Sequence, residues 1–394
     1  MPVEALGSPS APGVRQGRVE PARGVRFHTA SGASRAGFRP GPAPSGRLLA
    51  VPLLRLSSTD AFVVTDLEGA ARADGVLRWA RKVLVDGART MARSRTYSWA
   101  LLGEPVSGAS AGISASPEDR AAAIAAATTE LSDSVAAGRL SLDAGKGLSP
   151  TDLAPLDAVD TRSPLLRSAT ATGTLADALL AAGIAGAAGA AAGGLDGRTV
   201  AVEGAGAAGP AIVEAFAGHG ARVAAIGTAS GTLVVREDDD TEELASAWAE
   251  HGEGLPAVRG SDLPVAAVLE HPADVLVCGS KLGLVDHDVA GRLPQRVLAP
   301  CGAAPVTARG LATARRRDVV VLPDFLTTLG PLLAFHPDDS ATAGSLLGAA
   351  GDRTATLAAE VLDHEEGPYL GACLLAEGFL TTWQETLPFG RPLA

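Results

Sequence analysis

The chain has 394 residues, of which 46% are hydrophobic and 20% charged, and its formal net charge is −11. That is globular composition, with length enough for two domains that each bury a core. The acidic balance and the 4% aromatic content exclude a sequence-independent nucleic-acid binder, a base-stacking platform and a protein drawn to acidic membranes.

Residues 1–47 are rich in Gly, Pro, Ser and Arg and read as a basic, loosely attached arm with neither a signal peptide nor a span. Strands are expected over 48–56 and 61–65, then a helix over 76–97 from the spacing of Val76, Leu77, Val83, Leu84 and Met91. Ile113 to Ala115 is a short strand candidate. Ser116-Pro117-Glu118-Asp119 starts a helix that runs to about Ala137, because a cap, a first-turn proline and acids near the positive dipole end coincide. The stretch 141–147 reads as a loop, and a short helix starts at Thr151. From 165 onward, helices alternate with strands at 198–203, 222–227, 274–278, 296–300 and 318–323, which predicts a parallel sheet covered on both faces. The Ala/Gly-rich helix 175–190 is apolar, but it contains Asp177 and runs into a strand, so it reads as a buried helix of a soluble protein. Helices close the chain at 341–361 and 367–385.

Cys278, Cys301 and Cys373 are too scattered for a disulfide framework or a zinc site, and a reducing cytoplasm suits them. The seven histidines show no metal spacing, so no metal site is expected. Glu237-Asp238-Asp239-Asp240 lacks the alternating ligands and central glycine of a calcium loop. Lys82, Lys146 and Lys281 are the whole lysine complement, which leaves few positions where a lysine could do chemistry.

The strongest local signal is the strand 198–203 followed by Gly204-Ala205-Gly206-Ala207-Ala208-Gly209 and a helix. In that setting the first glycine permits the turn. The second lets backbone approach a pyrophosphate, and the third lets the helix pack on the strand. Gly204, Gly206, Ala207, Ala208 and Gly209 are therefore candidate ligands of NAD or NADP. The next strand ends in Thr228-Ala229-Ser230 rather than in an acid that would hold the adenosine ribose, so the choice between the two cofactors stays open.

From these residues outward the chain resembles the glutamate/leucine/phenylalanine/valine dehydrogenase family. The resemblance covers 61–335. It runs through Thr96-Tyr97-Ser98-Trp99-Ala100, the segment 103–113, Leu142-Asp143-Ala144-Gly145, Thr170-Ala171-Thr172-Gly173, the stretch 194–209 and Pro323-Asp324-Phe325. It implies an α/β, amino-acid dehydrogenase-like two-domain fold: an α/β substrate domain over 48–165 with the helices 336–394 packing back, and a Rossmann domain over 166–335. It also implies oxidative deamination with hydride transfer to NAD(P), served by one lysine that holds the substrate carboxylate, a second that activates water, and a proton-shuttling aspartate.

The departures fall at the chemistry. The two lysines correspond to Ser98 and Ser110, which neither carry charge nor titrate near neutrality. Asp143 corresponds to the aspartate. Trp99, Ala303 and Thr328 stand where the family has asparagines, and Pro331 interrupts a Gly-Gly step. For the family's Gly-Gly-x-Arg site, 23–26 and 75–78 are both imperfect candidates. The resemblance adds Thr170, Cys301 and Ala303 to the cofactor side, with Thr228. Trp99, Lys146 and Thr328 go to the substrate side, and Asp143, Ser110 and Ser98 are the catalytic candidates. The expected protein is a homo-oligomeric, NAD(P)-dependent oxidoreductase for a small amino or imino compound lacking a free α-carboxylate. The alternatives are a non-redox cyclase or lyase that reuses the cleft, and a catalytically silent binding or partner subunit.

Overall fold

Five strands build the first sheet: β1 (Leu53–Arg55), β2 (Ala61–Thr65), β3 (Ala73–Ala80), β4 (Ser107–Ser114) and β5 (Leu140–Ala144), in the order β1-β2-β4-β3-β5. In this computed structural model the described residues are 52–388 and 390–394, so the expected arm 1–47 lies outside them. β3 is central and runs parallel to both β4 and β5. Side chains alternate across a strand, so each row of paired residues faces one way. Leu77, Ala111, Ile113 and Leu142 face helix α2 (Arg120–Ala136), where they bury against Ile124, Ala127 and Leu131. The other face looks toward helix α1 (Val85–Leu101), and Phe62 and Val64 pack there on Ala88 and Ala92. At Gly108 a Cβ would sit 1.8 Å from the Ala92 carbonyl oxygen, so α1 approaches β4 closer than any side chain allows.

Two expectations fail in this sheet. The helix expected from 76 starts only at Val85, and Val76 to Ala80 belong to β3. A central strand covered on both faces carries apolar residues on consecutive positions, and that hides the period of two. The loop expected over 141–147 is strand β5 up to Ala144.

The second sheet has the order β11-β10-β9-β6-β7-β8, with β6 (Thr199–Glu203), β7 (Arg222–Thr228), β8 (Gly231–Val234), β9 (Val275–Cys278), β10 (Val297–Pro300) and β11 (Val320–Val321). All pairs are parallel except β7 with β8. Val200, Val202, Leu276, Val277 and Leu298 are fully buried, as a sheet covered on both faces requires. From β6 the chain proceeds to β7 on one side and later to β9 on the other. That reversal opens a crevice beyond the C-terminal ends of β6 and β9.

The helix Leu175–Ala192 is long and apolar enough to cross a membrane, yet it packs along the helix Ala343–Leu362 and against the helix Gly209–Gly218. Its small residues permit that packing: a Cβ on Gly186 would lie 2.3 Å from the Gly351 carbonyl oxygen.

Candidate functional site

At the crevice, Gly204 (φ +64°) and Gly206 (φ +56°) take left-handed backbone conformations. A Cβ on Gly204 would press 2.3 Å from Ser280, and one on Gly209 would press 2.3 Å from the Trp248 ring. On Gly206 it would meet nothing within 4 Å. The turn is therefore packed from behind at its first and third glycines and open at the second, the geometry a pyrophosphate needs. Ala207 is exposed and Ala208 buried. Glu203, at the end of β6, is buried and accepts the N–H groups of Gly279 (3.1 Å) and Ser280 (3.2 Å), which ties the β9 loop to the glycine turn. The Cys301 thiol donates to the Glu203 carbonyl at 3.7 Å. Burial and the neighbouring Glu203 push that thiol well above its ordinary value, which favours the neutral thiol over the thiolate. Ala303, two residues on, is half-buried. Thr170 is exposed in a turn, where its N–H donates to the Gly173 carbonyl, while Thr172 donates to Glu214 at 2.9 Å.

The catalytic candidates lie on the first sheet. Ser110 of β4 and Asp143 of β5 both pair with Val76 of β3, so they share a row and a face, about 10 Å apart across the intervening strand. Asp74 and Arg78 of β3 flank that row on the same face. Arg78 Nη2 donates to Ser110 Oγ at 3.2 Å, and its Nε is buried with no hydrogen-bond partner. Arg78 has no acidic partner among the described residues, and burial lowers its affinity for a proton.

Asp143 sits between two guanidinium groups, with Oδ1 2.7 Å from Arg162 Nη1 and Oδ2 3.7 Å from Arg95 Nη2. Its side chain keeps 47% exposure, whereas that of Arg162 has 2%. Arg162 also binds Asp160 at 2.7 Å, and its guanidinium lies 4.8 Å from the Phe335 ring centre. Arg95 donates to Asp74 Oδ2 at 2.5 Å, and the Trp99 indole N–H joins it at 3.0 Å. Asp74 Oδ1 is buried without a partner, and burial pushes that carboxyl up despite Arg95. Trp99 and Phe335 meet edge to face at 5.2 Å and wall this cluster.

Ser98 is buried in α1 and donates only to the Ser94 carbonyl one turn back, at 3.4 Å. Thr328 likewise donates to the Asp324 carbonyl, and Lys146 lies exposed in the loop after β5. Geometry thus joins Asp143, Ser110 and Trp99 to one face. It places Arg78, from the 75–78 candidate, on the same face, and it adds Asp74, Arg95, Arg162 and Phe335, which sequence reasoning missed. The alternation Asp74-x-Val76-x-Arg78 was the available signal for Asp74; Arg162 reaches the site from a loop and had none. The expectation of uncharged hydroxyls is correspondingly revised, because guanidinium groups reach the same face from other positions.

Residues 167–334 match the family described as Glutamate/Leucine/Phenylalanine/Valine dehydrogenase. A glutamate dehydrogenase of Aeropyrum pernix is 29% identical over 144 residues, which are 36% of this chain and 34% of that protein, so the match spans about a third of the relative's length. Among solved structures, the hetero-hexameric glutamate dehydrogenase of Thermus thermophilus in its Leu-bound form superposes with a TM-score of 0.69 at 22% identity, over 86% of this chain and 89% of that one. L-tryptophan dehydrogenase of Nostoc punctiforme superposes at 0.55 with 15% identity, over 85% and 97%. These likenesses establish the two-domain amino-acid dehydrogenase fold.

Proposed function

We propose, on the match of residues 167–334 to the glutamate/leucine/phenylalanine/valine dehydrogenase family, that the chain is an NAD(P)-dependent oxidoreductase for a small amino or imino compound, and that it does not perform ordinary oxidative deamination. The observation that carries the reading is the glycine turn, buttressed at Gly204 and Gly209 and open at Gly206. Gly204, Gly206, Ala207 and Ala208 would hold the cofactor's pyrophosphate, with Thr170, Thr228, Cys301 and Ala303 around it. The bound cofactor supplies the hydride acceptor or donor.

The chain's own residues supply the rest. Asp143 is the partly exposed carboxylate of the sheet face and is assigned to the substrate nitrogen, with which it exchanges a proton. Arg78, free of acidic partners among the described residues, is assigned to an anionic substrate group, and Ser110 orients it. A carboxylate on the substrate is therefore accommodated, which removes the ground for expecting a substrate without one. Trp99 and Phe335 exclude water from one side. The arginines of this face do not replace the water-activating lysine, because a guanidinium does not release its proton near neutral pH. Reduction of an imine, or oxidation of an amine without hydrolysis, needs no such base. A second reading, a catalytically silent subunit, has one observation in its favour: buried Arg162 already grips Asp143 as a substrate cation would.

Calorimetric titration with NADH and NADPH, followed by turnover assays, tests the proposal. Micromolar binding of at least one dinucleotide is expected, with no oxidation of leucine, glutamate, phenylalanine or valine. If both dinucleotides fail to bind at high micromolar concentration, the redox reading is wrong. Robust turnover of any of the four amino acids would show that a base exists where none is assigned.

A further inference from the structure

Where β7 ends, the sequence has no acid to receive the adenosine ribose. The structure brings one from elsewhere. The segment Gly252–Gly254, which follows the helix Thr241–His251, packs beside the glycine turn at 206–208. Its central residue, Glu253, is bonded to every residue of the β7 tip. Thr228 Oγ1 donates to the Glu253 carbonyl at 2.6 Å, Ser230 Oγ donates to the same oxygen at 2.5 Å, and the Ala229 N–H donates to Glu253 Oε2 at 2.6 Å. The second carboxylate oxygen, Oε1, has no protein partner among the described residues, and the side chain is exposed.

We propose that Glu253 supplies the missing carboxylate from this neighbouring segment and makes the site select NAD over NADP. This rests on the cofactor reading above and adds the choice between the two dinucleotides. Three observations carry it. The β7 tip adjoins the glycine turn directly, since the Gly204 N–H donates to the Gly227 carbonyl at 3.0 Å, so a dinucleotide seated on the turn runs its adenosine ribose past this tip. The donors that could serve a 2′-phosphate are already spent: both hydroxyls face a carbonyl, and the Ala229 N–H faces a carboxylate. No arginine or lysine pairs with Thr228, Ser230 or Glu253 among the described residues to offset a phosphate's charge. A carboxylate held by a backbone N–H on one oxygen offers the other to ribose hydroxyls and repels a phosphate.

The test is calorimetric titration of the full chain with NADH and NADPH, in the wild type and in Glu253→Gln. The wild type is expected to bind NADH about tenfold or more tightly than NADPH, because the carboxylate accepts a charge-assisted hydrogen bond from the ribose and repels the 2′-phosphate. Glu253→Gln should bring the two within about threefold, chiefly by tightening NADPH. Circular dichroism of the variant checks that an exposed substitution has left the fold intact. A wild type that binds both equally or prefers NADPH overturns the assignment and leaves the cofactor reading standing. So does an E253Q protein with an unchanged ratio. If neither dinucleotide binds, the assignment falls together with the cofactor reading.

Discussion

Asp324 joins segments far apart in the chain. Its Oδ2 accepts the Ala304 N–H at 2.8 Å and the Ser94 hydroxyl from α1, while Oδ1 lies 3.4 Å from the Tyr369 hydroxyl. It is fully buried with no cation among these partners, so burial pushes its carboxyl from the ordinary 3.8 up to about 6. The sign of the linkage follows from which state binds the proton more tightly. Below pH 3.8 both folded and unfolded chains are protonated, and the site carries no ionisation cost. As pH rises through about 6 the folded state must ionise a buried acid that the unfolded chain ionised earlier, so stability is lost, by about 3 kcal/mol at full ionisation. An asparagine can keep the contacts: its carbonyl takes Ala304 and Ser94, and its amide reaches Tyr369, whose hydroxyl already donates to the Pro392 carbonyl at 2.6 Å. Urea denaturation at about pH 4.5 and about pH 7 should therefore show Asp324→Asn gaining on the wild type by about 2 kcal/mol between the two. An unchanged difference would place the titration elsewhere.

The helix Leu175–Ala192 shows how composition serves packing. Gly186 faces the Gly351 carbonyl, and Gly330 faces the Leu179 carbonyl, where a Cβ would lie at 2.3 Å and 2.2 Å. Alanine at an open helical glycine gains up to about 1 kcal/mol of propensity, whereas overpacking against backbone costs about 1–3 kcal/mol. Gly186→Ala should then destabilise by about 1–2 kcal/mol. Gly348→Ala, whose Cβ meets nothing within 4 Å, should be neutral or stabilising in the same thermal melts. Equal effects would mean that the helices slide apart without cost. Legibility follows the same distinction between local and distant causes. The β6–glycine–helix unit was readable because strand, turn and helix signals are contiguous. β5 was readable too, since Leu140-Ser141-Leu142-Asp143-Ala144 alternates strictly, but Gly145-Lys146-Gly147 drew the reading toward a loop. β3 was hidden because neighbouring strands cover both its edges and helices both its faces. Arg162 and Glu253 were beyond reach, because their positions depend on where loops from other elements return.

At the scale of the molecule, the first sheet ends in a short edge strand. Among the described residues β1 bonds only to β2, and its Leu53 and Leu54 keep 37% and 58% exposure beside a groove walled by Leu131 and Leu140. An exposed apolar edge is a template for pairing with another chain, and a symmetric contact would bury each leucine twice. The exposed edge itself is the ground for the prediction that this chain forms a homo-oligomer through β1. Light scattering behind size exclusion should return a multiple of the chain mass. Leu54→Lys places a charge on each side of the contact and should weaken association by about tenfold or more, seen as a shift toward smaller species on dilution. Leu374→Lys, a comparably exposed leucine of the C-terminal helix Pro368–Leu380, should leave the mass unchanged. A wild type that is monomeric at every concentration would remove the oligomer. A shift with Leu374→Lys but not with Leu54→Lys would move the interface to the helical side of the molecule.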